Sequence, residues 1–503
     1  MTKLLLRLIA LLPALIVFSC SDKIKSKQEH SENSFYTPGN KNRVAAEWEP
    51  ALGTMITWPL CIPYKLVIEL AKDNHLYTLV ENENSKKEAM TWYSRWGIDS
   101  SKNTFIYGRQ GDDAWWVRDW GPGAVFTRDG KMKLADGKYI YSTPYSGVHC
   151  DDSVKFYFMS KDGKIPKTET DDSATQYLGK ALNFELLDLP FINTGGNVLT
   201  DGLGGAFSTC ILLNENQIFG VSREKFFNLN KNLLGFDRYN VVSNFELQGV
   251  QHLDCYMKLL DEERILVIEP PKDHELYKIY EDIVHNELSK LKTAYGRPYE
   301  ILRIKSDQFK NWGLAAYTNS LILNKTIYVP LFQIKEDSLA LQRWREVMPG
   351  YTIKGFEFDL AYEPFVTKKL KDHYRFYGWD KSDGIHCRTR AVWDPEMLFI
   401  STRRIDREVS STHQNEVYST IIDYSRKGLI KEKCKLFWRV VGDTVWNSIL
   451  LRQIEGTDHF VGVIPFNKPG RTVEYYLSAL SNSGRAEMQP RTAPLGTYKF
   501  SIK

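Results

Sequence analysis

Three segments carry residue types that could do covalent chemistry. The first is Ser382-Asp383-Gly384-Ile385-His386-Cys387, where a thiol follows a glycine that permits close backbone approach. Cys387 is a candidate nucleophile, although a single cysteine is also a common core residue. The second is Trp115-Trp116-Val117-Arg118-Asp119-Trp120-Gly121-Pro122, which sets Asp119 among three tryptophans, where a carboxylate needs a partner. Arg118 in a structural ion pair is the ordinary reading of that need. The third is Gln251-His252-Leu253-Asp254-Cys255-Tyr256-Met257. Read as a strand, it puts His252, Asp254 and Tyr256 on one face and Leu253, Cys255 and Met257 on the other. Cys255 then reads as packing. On a strand His386 would face away from Cys387, so it is not taken as the base.

A thiol and an imidazole make a nucleophile and a proton carrier, but two carboxylates are more than a thiol protease needs. Two unpaired carboxylates in one pocket repel, and a cationic substrate relieves the repulsion. A guanidinium is planar, always charged and rich in donors, and it matches paired carboxylates bidentately. The expected chemistry is modification of a guanidine, not hydrolysis of a peptide bond.

The elements that must position these residues recur. Apolar strand, polar turn and apolar strand follow one another in "AVFTRDGKMKLA" from 124, "NVLTDGLGGAFS" from 197, "KLLDEERILVIE" from 258 and "LILNKTIYVPLF" from 321. An earlier unit of the same kind is expected around Gly53. Between them lie amphipathic stretches. The clearest is 275–296, with Leu276, Ile279, Tyr280, Ile283, Val284 and Leu288 on one helical face and the strand-like "EILRIKS" after it. Turns about 60 to 70 residues apart point to a pseudo-repeated α/β body. Beyond about 400 the texture changes to short strands ("CKLFWRVV", "HFVGVIPF", "VEYYLSAL", "TYKFSIK"), the pattern of a small β-sandwich.

The first residues read as an export signal. Lys3 and Arg7 precede an apolar run to Phe18, and "VFSC" resembles a lipobox that would leave Cys20 lipidated. The run is about a dozen residues, too short for a comfortable membrane span. Residues 21–45 are polar and read as a tether. The expected division is signal 1–19, lipidated Cys20 and tether 20–45, α/β body 46–401 and sandwich 402–503. The chain would be an exported lipoprotein of the envelope or cell surface, touching the membrane only through its lipid. Of 503 residues, 66 are Lys or Arg and 62 Asp or Glu, a net charge of +4 that gives no basis for nucleic-acid binding. The seven cysteines show no paired C-x-x-C spacing, so a zinc site is not expected.

"WWVRDWGPGAVF", "FINTGGNVLTDG", "QHLDCYMKLL", "YTNSLILN" and "GIHC" resemble, in this order, the Porphyromonas-type peptidylarginine deiminases and the related agmatine deiminases, over about 46 to 400. The resemblance implies the pentein fold, a five-bladed pseudo-symmetric α/β propeller, followed by an immunoglobulin-like domain. It implies that Asp119 and Asp254 grip the guanidinium, that His252 is general acid and base, and that Cys387 is the nucleophile. Trp116 would lie along the substrate's alkyl stem, and Asn319 would be a further substrate-site residue. No metal, calcium or other cofactor is implied, and the substrate would be an arginine-containing peptide or protein.

One departure bears on specificity. The peptidylarginine members place two arginines soon after the Arg-Asp-Trp-Gly-Pro motif to bind the carboxylate of a C-terminal arginine. Here 139–152 reads "YIYSTPYSGVHCDD", and no arginine occurs between Arg128 and Arg223. Free arginine or agmatine therefore stays open as substrate. The rival of another class is an inert body whose sandwich binds peptides or glycans at the cell surface.

Overall fold

The computed structural model describes residue 36 and residues 41–108, 110–111, 114–140, 143–145, 155–157, 169–246, 250–309, 313–367, 371, 378–379 and 383–503. The expected signal, Cys20 and the tether as far as residue 35 lie outside them. So does most of the 139–152 stretch, of which Thr143–Tyr145 is a strand paired with Lys155–Tyr157. No helix among the described residues is long and apolar enough to cross a membrane.

One unit is built five times: an antiparallel pair of strands, then a helix, then a strand parallel to the second of the pair. Such a parallel return needs a crossover, and the helix supplies it. Ala124–Phe126 pairs with Met132–Lys138, which pairs in parallel with Glu185–Ile192 after the helix Ala174–Leu182. Leu199–Thr200, Gly205–Thr209 and Arg238–Val242 repeat the pattern. So do Met257–Leu259, Arg264–Glu269 and Glu300–Lys305, with Tyr277–Asn286 as the helix. Leu321–Leu323, Thr326–Leu331 and Thr352–Glu357 follow, bridged by Glu336–Val347. The hairpins expected from 124, 197, 258 and 321 are these pairs. The helix expected over 275–296 is shorter, because Glu287 leaves the α ladder and Leu288–Lys290 tightens into a 3-10 turn. Its expected inner face is the one that packs: Leu276, Tyr280, Ile283, Val284 and Leu288 are buried, and Ile279 lies against the same core.

The unit around Gly53 corrects the sequence reading. Ala51–Thr57 forms no local hairpin. Its antiparallel partner is Arg390–Trp393 from the far end of the body, with Thr54 facing Ala391 and Met55 facing Arg390. His75–Val80 and Asn103–Tyr107 complete that sheet in parallel. The first sheet of the body is thus completed by the segment that follows Cys387.

Two sheets, antiparallel except where Glu408–Val409 runs parallel to the last strand, make up the C-terminal region and share one core, with Leu398, Val417 and Ile421 from one and Leu436, Tyr475 and Phe500 from the other. Their first strand, Leu398–Arg403, runs across the boundary placed at 402. The join to the body is polar and paired. Glu263 meets Arg297 at 3.0 Å and Arg404 at 2.8 Å, and Arg485 meets Asp394 at 2.5 Å.

Candidate active site

The short helix Val117–Trp120 carries Asp119, and the following Gly195-Gly196 turn packs directly against it. The Asp119 backbone carbonyl accepts from the Gly195 N–H at 3.0 Å, and its Oδ1 accepts from the Gly196 N–H at 3.1 Å. Gly196 has no room for a side chain. A Cβ there would lie 2.4 Å from Asp119 Oδ1, 3.0 Å from His252 Nδ1 and 3.3 Å from Asp254 Oδ2. The glycine is the point on which three of the expected site residues converge. Neither the sequence periodicity nor the charge pattern singled it out, though the paired glycines of "NTGGN" were a signal.

The 251–257 stretch is not the extended strand expected. Leu253–Cys255 is a 3-10 turn, and the strand begins at Met257. Asn197 Oδ1 anchors the turn by accepting from Leu253 N–H at 3.3 Å. The twist places Cys255, which packs in the core as expected, beside the site as well. Its Sγ is 3.5 Å from Asp254 Oδ1, and Cys255 Sγ, Cys387 Sγ and an Asp254 oxygen lie within 4.8 Å of one another.

The segment that carries Cys387 also turns. His386–Arg388 is a 3-10 turn, so the strand argument that set His386 aside does not hold. Asn319 fixes the thiol: its Nδ2 donates to Cys387 Sγ at 3.0 Å and its Oδ1 accepts from the Cys387 N–H at 3.1 Å. Cys387 Sγ lies 3.7 Å from Asp254 Oδ2. Asp254 and Asn319 are fully enclosed, while Asp119 and His252 are each 7% exposed and Cys387 5%, so what opening there is lies on their side. Trp116 is half-buried, with the guanidinium of Arg388, the residue after the thiol, 5.3 Å from its ring centre.

Behind Asp254 stands a buried ionic chain that the sequence reading missed. Asp254 Oδ2 lies 2.7 Å from His386 Nδ1, His386 Nε2 lies 2.7 Å from Glu47 Oε2, and Glu47 Oε2 lies 2.9 Å from Lys258 Nζ. Burial and the charges of Arg118 and Lys258 hold His386 below the ordinary imidazole value, against the opposing pull of Glu47 and Asp254. Both ring nitrogens face carboxylate oxygens, so at least one proton beyond the neutral imidazole's own is needed to satisfy the chain. A cavity of about 60 Å³ adjoins it, lined by Glu47, Arg118, Lys258, His386 and Arg390 among others.

Electrostatics separate the two reactive groups. Burial alone would lower His252, but the charge and hydrogen bond of Asp119, 3.4 Å from its Nδ1, lift it to about 9, with Asp254 and Glu215 adding to the effect. A hydrogen bond with Cys255 favours the Cys387 thiolate. Burial and the charges of Asp254, Asp119 and Asp383 outweigh it and hold the thiol at about 11. Burial raises Asp254, but the His386 hydrogen bond and charge, helped by His252, bring its carboxyl below the ordinary value. At neutral pH His252 is an imidazolium, Cys387 a thiol and Asp254 a carboxylate. Such a site lacks only a cation to offset the acidic charge and favour the thiolate.

All the expected site residues except Cys20, which lies outside the described residues, fall on this one region. Comparison with known proteins agrees with its architecture. The profile of the Porphyromonas-type peptidyl-arginine deiminase family matches residues 43–361. A Mycoplasma mycoides subsp. mycoides protein assigned as an agmatine deiminase is 23% identical over 368 residues, 66% of this chain and 92% of its own length. Among solved structures, a C. jejuni agmatine deiminase variant with substrate bound superposes with a TM-score of 0.52 at 15% identity, covering 72% of this chain and 98% of its own. The agmatine deiminase of Enterococcus faecalis gives a TM-score of 0.51 at 18% identity, covering 70% and 96%. These likenesses establish the α/β pentein fold of the body. With 43–361 matched, the chain belongs to the Porphyromonas-type peptidyl-arginine deiminase family, a family of guanidino-group deiminases.

Proposed function

We propose that this protein is a calcium-independent deiminase of peptidyl-arginine, releasing ammonia and leaving peptidyl-citrulline. The observation that carries the reading is the convergence of Asp119, His252 and Asp254 on Gly196, with Cys387 beside Asp254. The guanidinium lies between the two carboxylates, and its charge lowers the thiol pKa enough to release the Cys387 proton. The thiolate attacks the guanidinium carbon. His252, an imidazolium below about pH 9, donates its proton to the departing nitrogen, and ammonia leaves a thiouronium on Cys387. The now neutral His252 takes a proton from water, which attacks the same carbon. Sulfur leaves, and the product is the urea of citrulline. Trp116, half-buried beside the Arg388 guanidinium, serves as a wall for the aliphatic stem, and Asn319 orients the sulfur.

The wider reading is that the five repeated units form a five-bladed propeller, with an immunoglobulin-like domain after it. The chain would be exported and anchored through Cys20. A disulfide at Cys210 is in keeping with an oxidising compartment. Export favours protein or peptide substrates. The second reading, free arginine or agmatine, draws on the activities for which the relatives are named.

One assay tests both: citrulline and ammonia release without added calcium, from agmatine, free arginine, and matched peptides with arginine internal, C-terminal or amidated. Internal and amidated arginine are expected to be turned over. A kcat/KM preference of about a hundredfold or more for the free C-terminal carboxylate, near 2.7 kcal/mol, overturns the expected tolerance. Turnover of agmatine alone selects the second reading, and no turnover of any guanidine leaves the surface-binding rival.

A further inference from the structure

The two thiols beside Asp254 come from different repeated units, so no short cysteine spacing announces them. We propose that Asp254, Cys255 and Cys387 form a binding site for a soft divalent cation of the zinc class. Their ligand atoms all lie within 4.8 Å of one another, and all three residues are buried. Zinc bonded to sulfur at about 2.3 Å and to oxygen at about 2.0 Å in a tetrahedron requires sulfur–oxygen separations of about 3.5 Å. The observed separations are 3.5 Å for Cys255 Sγ to Asp254 Oδ1 and 3.7 Å for Cys387 Sγ to Asp254 Oδ2.

The surroundings are those of a ligand set already held in place. Asn319 Nδ2 approaches both sulfurs, at 3.0 Å for Cys387 and 3.9 Å for Cys255, and a donor at that place favours thiolates. His386 Nδ1 holds the remaining capacity of Asp254 at 2.7 Å. Three protein ligands leave the fourth position open, toward the side where Asp119 and His252 retain their exposure. Binding converts two thiols to thiolates and releases their two protons to solvent, with no change of oxidation state. The occupant takes the sulfur of Cys387 out of use, so it acts as a reversible block on the proposed nucleophile and not as a cofactor.

The test is X-ray absorption at the zinc edge of the reduced full chain loaded with one equivalent of Zn²⁺. Two sulfur ligands near 2.3 Å are expected in the wild type, falling to one or none in Cys255→Ala and in Cys387→Ala. Equilibrium dialysis of Zn²⁺ against Asp254→Asn should show affinity lowered at least tenfold. A wild-type shell with fewer than two sulfurs, or a two-sulfur shell that persists in folded Cys255→Ala, overturns the site. Should a variant misfold by circular dichroism, the wild-type sulfur count decides alone.

Discussion

Asn319 holds Cys387 at two atoms at once, its amide nitrogen on the sulfur at 3.0 Å and its amide oxygen on the backbone N–H at 3.1 Å. A hydrogen bond to a charged acceptor contributes about 1.5 to 3 kcal/mol, so Asn319→Ala should lower kcat/KM about tenfold to a hundredfold. Asn319→Asp should lose more, because it sets a negative charge against the thiolate. Steady-state kinetics of the two variants check this, and equal losses would reduce Asn319 to a packing role.

Cys387→Ala should show no turnover while keeping its circular dichroism and melting behaviour. Cys255→Ala should keep turnover but lose a thiol donor to Cys387, an effect of about tenfold or less. Peptide mapping after acid quench of a turning-over sample should place the covalent adduct on Cys387. An adduct on Cys255 exchanges the two assignments.

His252 ties stability to pH. Its folded pKa, about 9, lies above the ordinary value of 6.5, so the stabilisation is fully present below pH 6.5 and is lost as pH rises through 9. The full span is worth about 3 kcal/mol. Melting temperature should fall between pH 6.5 and 9 in the wild type, and Asp119→Asn should flatten that slope. The same shift bears on rate. Productive free enzyme needs thiolate and imidazolium together, so with Cys387 near 11 and His252 near 9, kcat/KM should climb about tenfold per pH unit and level off near 9. A profile already level at pH 7 would contradict it.

Gly196→Ala and Gly195→Ala should fail in different ways. At 196 the added carbon meets side-chain atoms of Asp119, His252 and Asp254, so activity should drop at least a hundredfold in a protein that still folds. At 195 it meets the Arg118 backbone carbonyl at 2.2 Å, which cannot swing aside, so the melting temperature should fall. Paired activity and melting measurements separate the two.

What the sequence made legible was local. The pairs at 124–138, 199–209, 257–269 and 321–331 alternate apolar positions within a few residues of a turn, and their register is set there. Asp119, His252 and Asp254 stood out because their residue types are unwelcome in a core, and Cys387 because a thiol follows Gly384 in a polar stretch. Two kinds of information were not readable. A 3-10 turn at 253–255 has no period long enough to show, so the packing role of Cys255 was readable but its place beside Asp254 and Cys387 was not. Glu47, Lys258 and His386 meet only in three dimensions, and each alone resembles an ordinary charged residue.

The closing strand Arg390–Trp393 has a consequence for when the protein acquires its chemistry. Thr54 Oγ1 donates to the Arg390 carbonyl across 336 residues of chain, and the thiol lies three residues before that strand. Contacts of such long separation form late, since the loop between them must be ordered first. A nascent chain holds Asp119, His252 and Asp254 long before it holds Cys387. Until then the carboxylates and the imidazole have no thiol beside them. The site proposed here is complete only when the last strand docks against one of the first, so folding itself would act as its activation step.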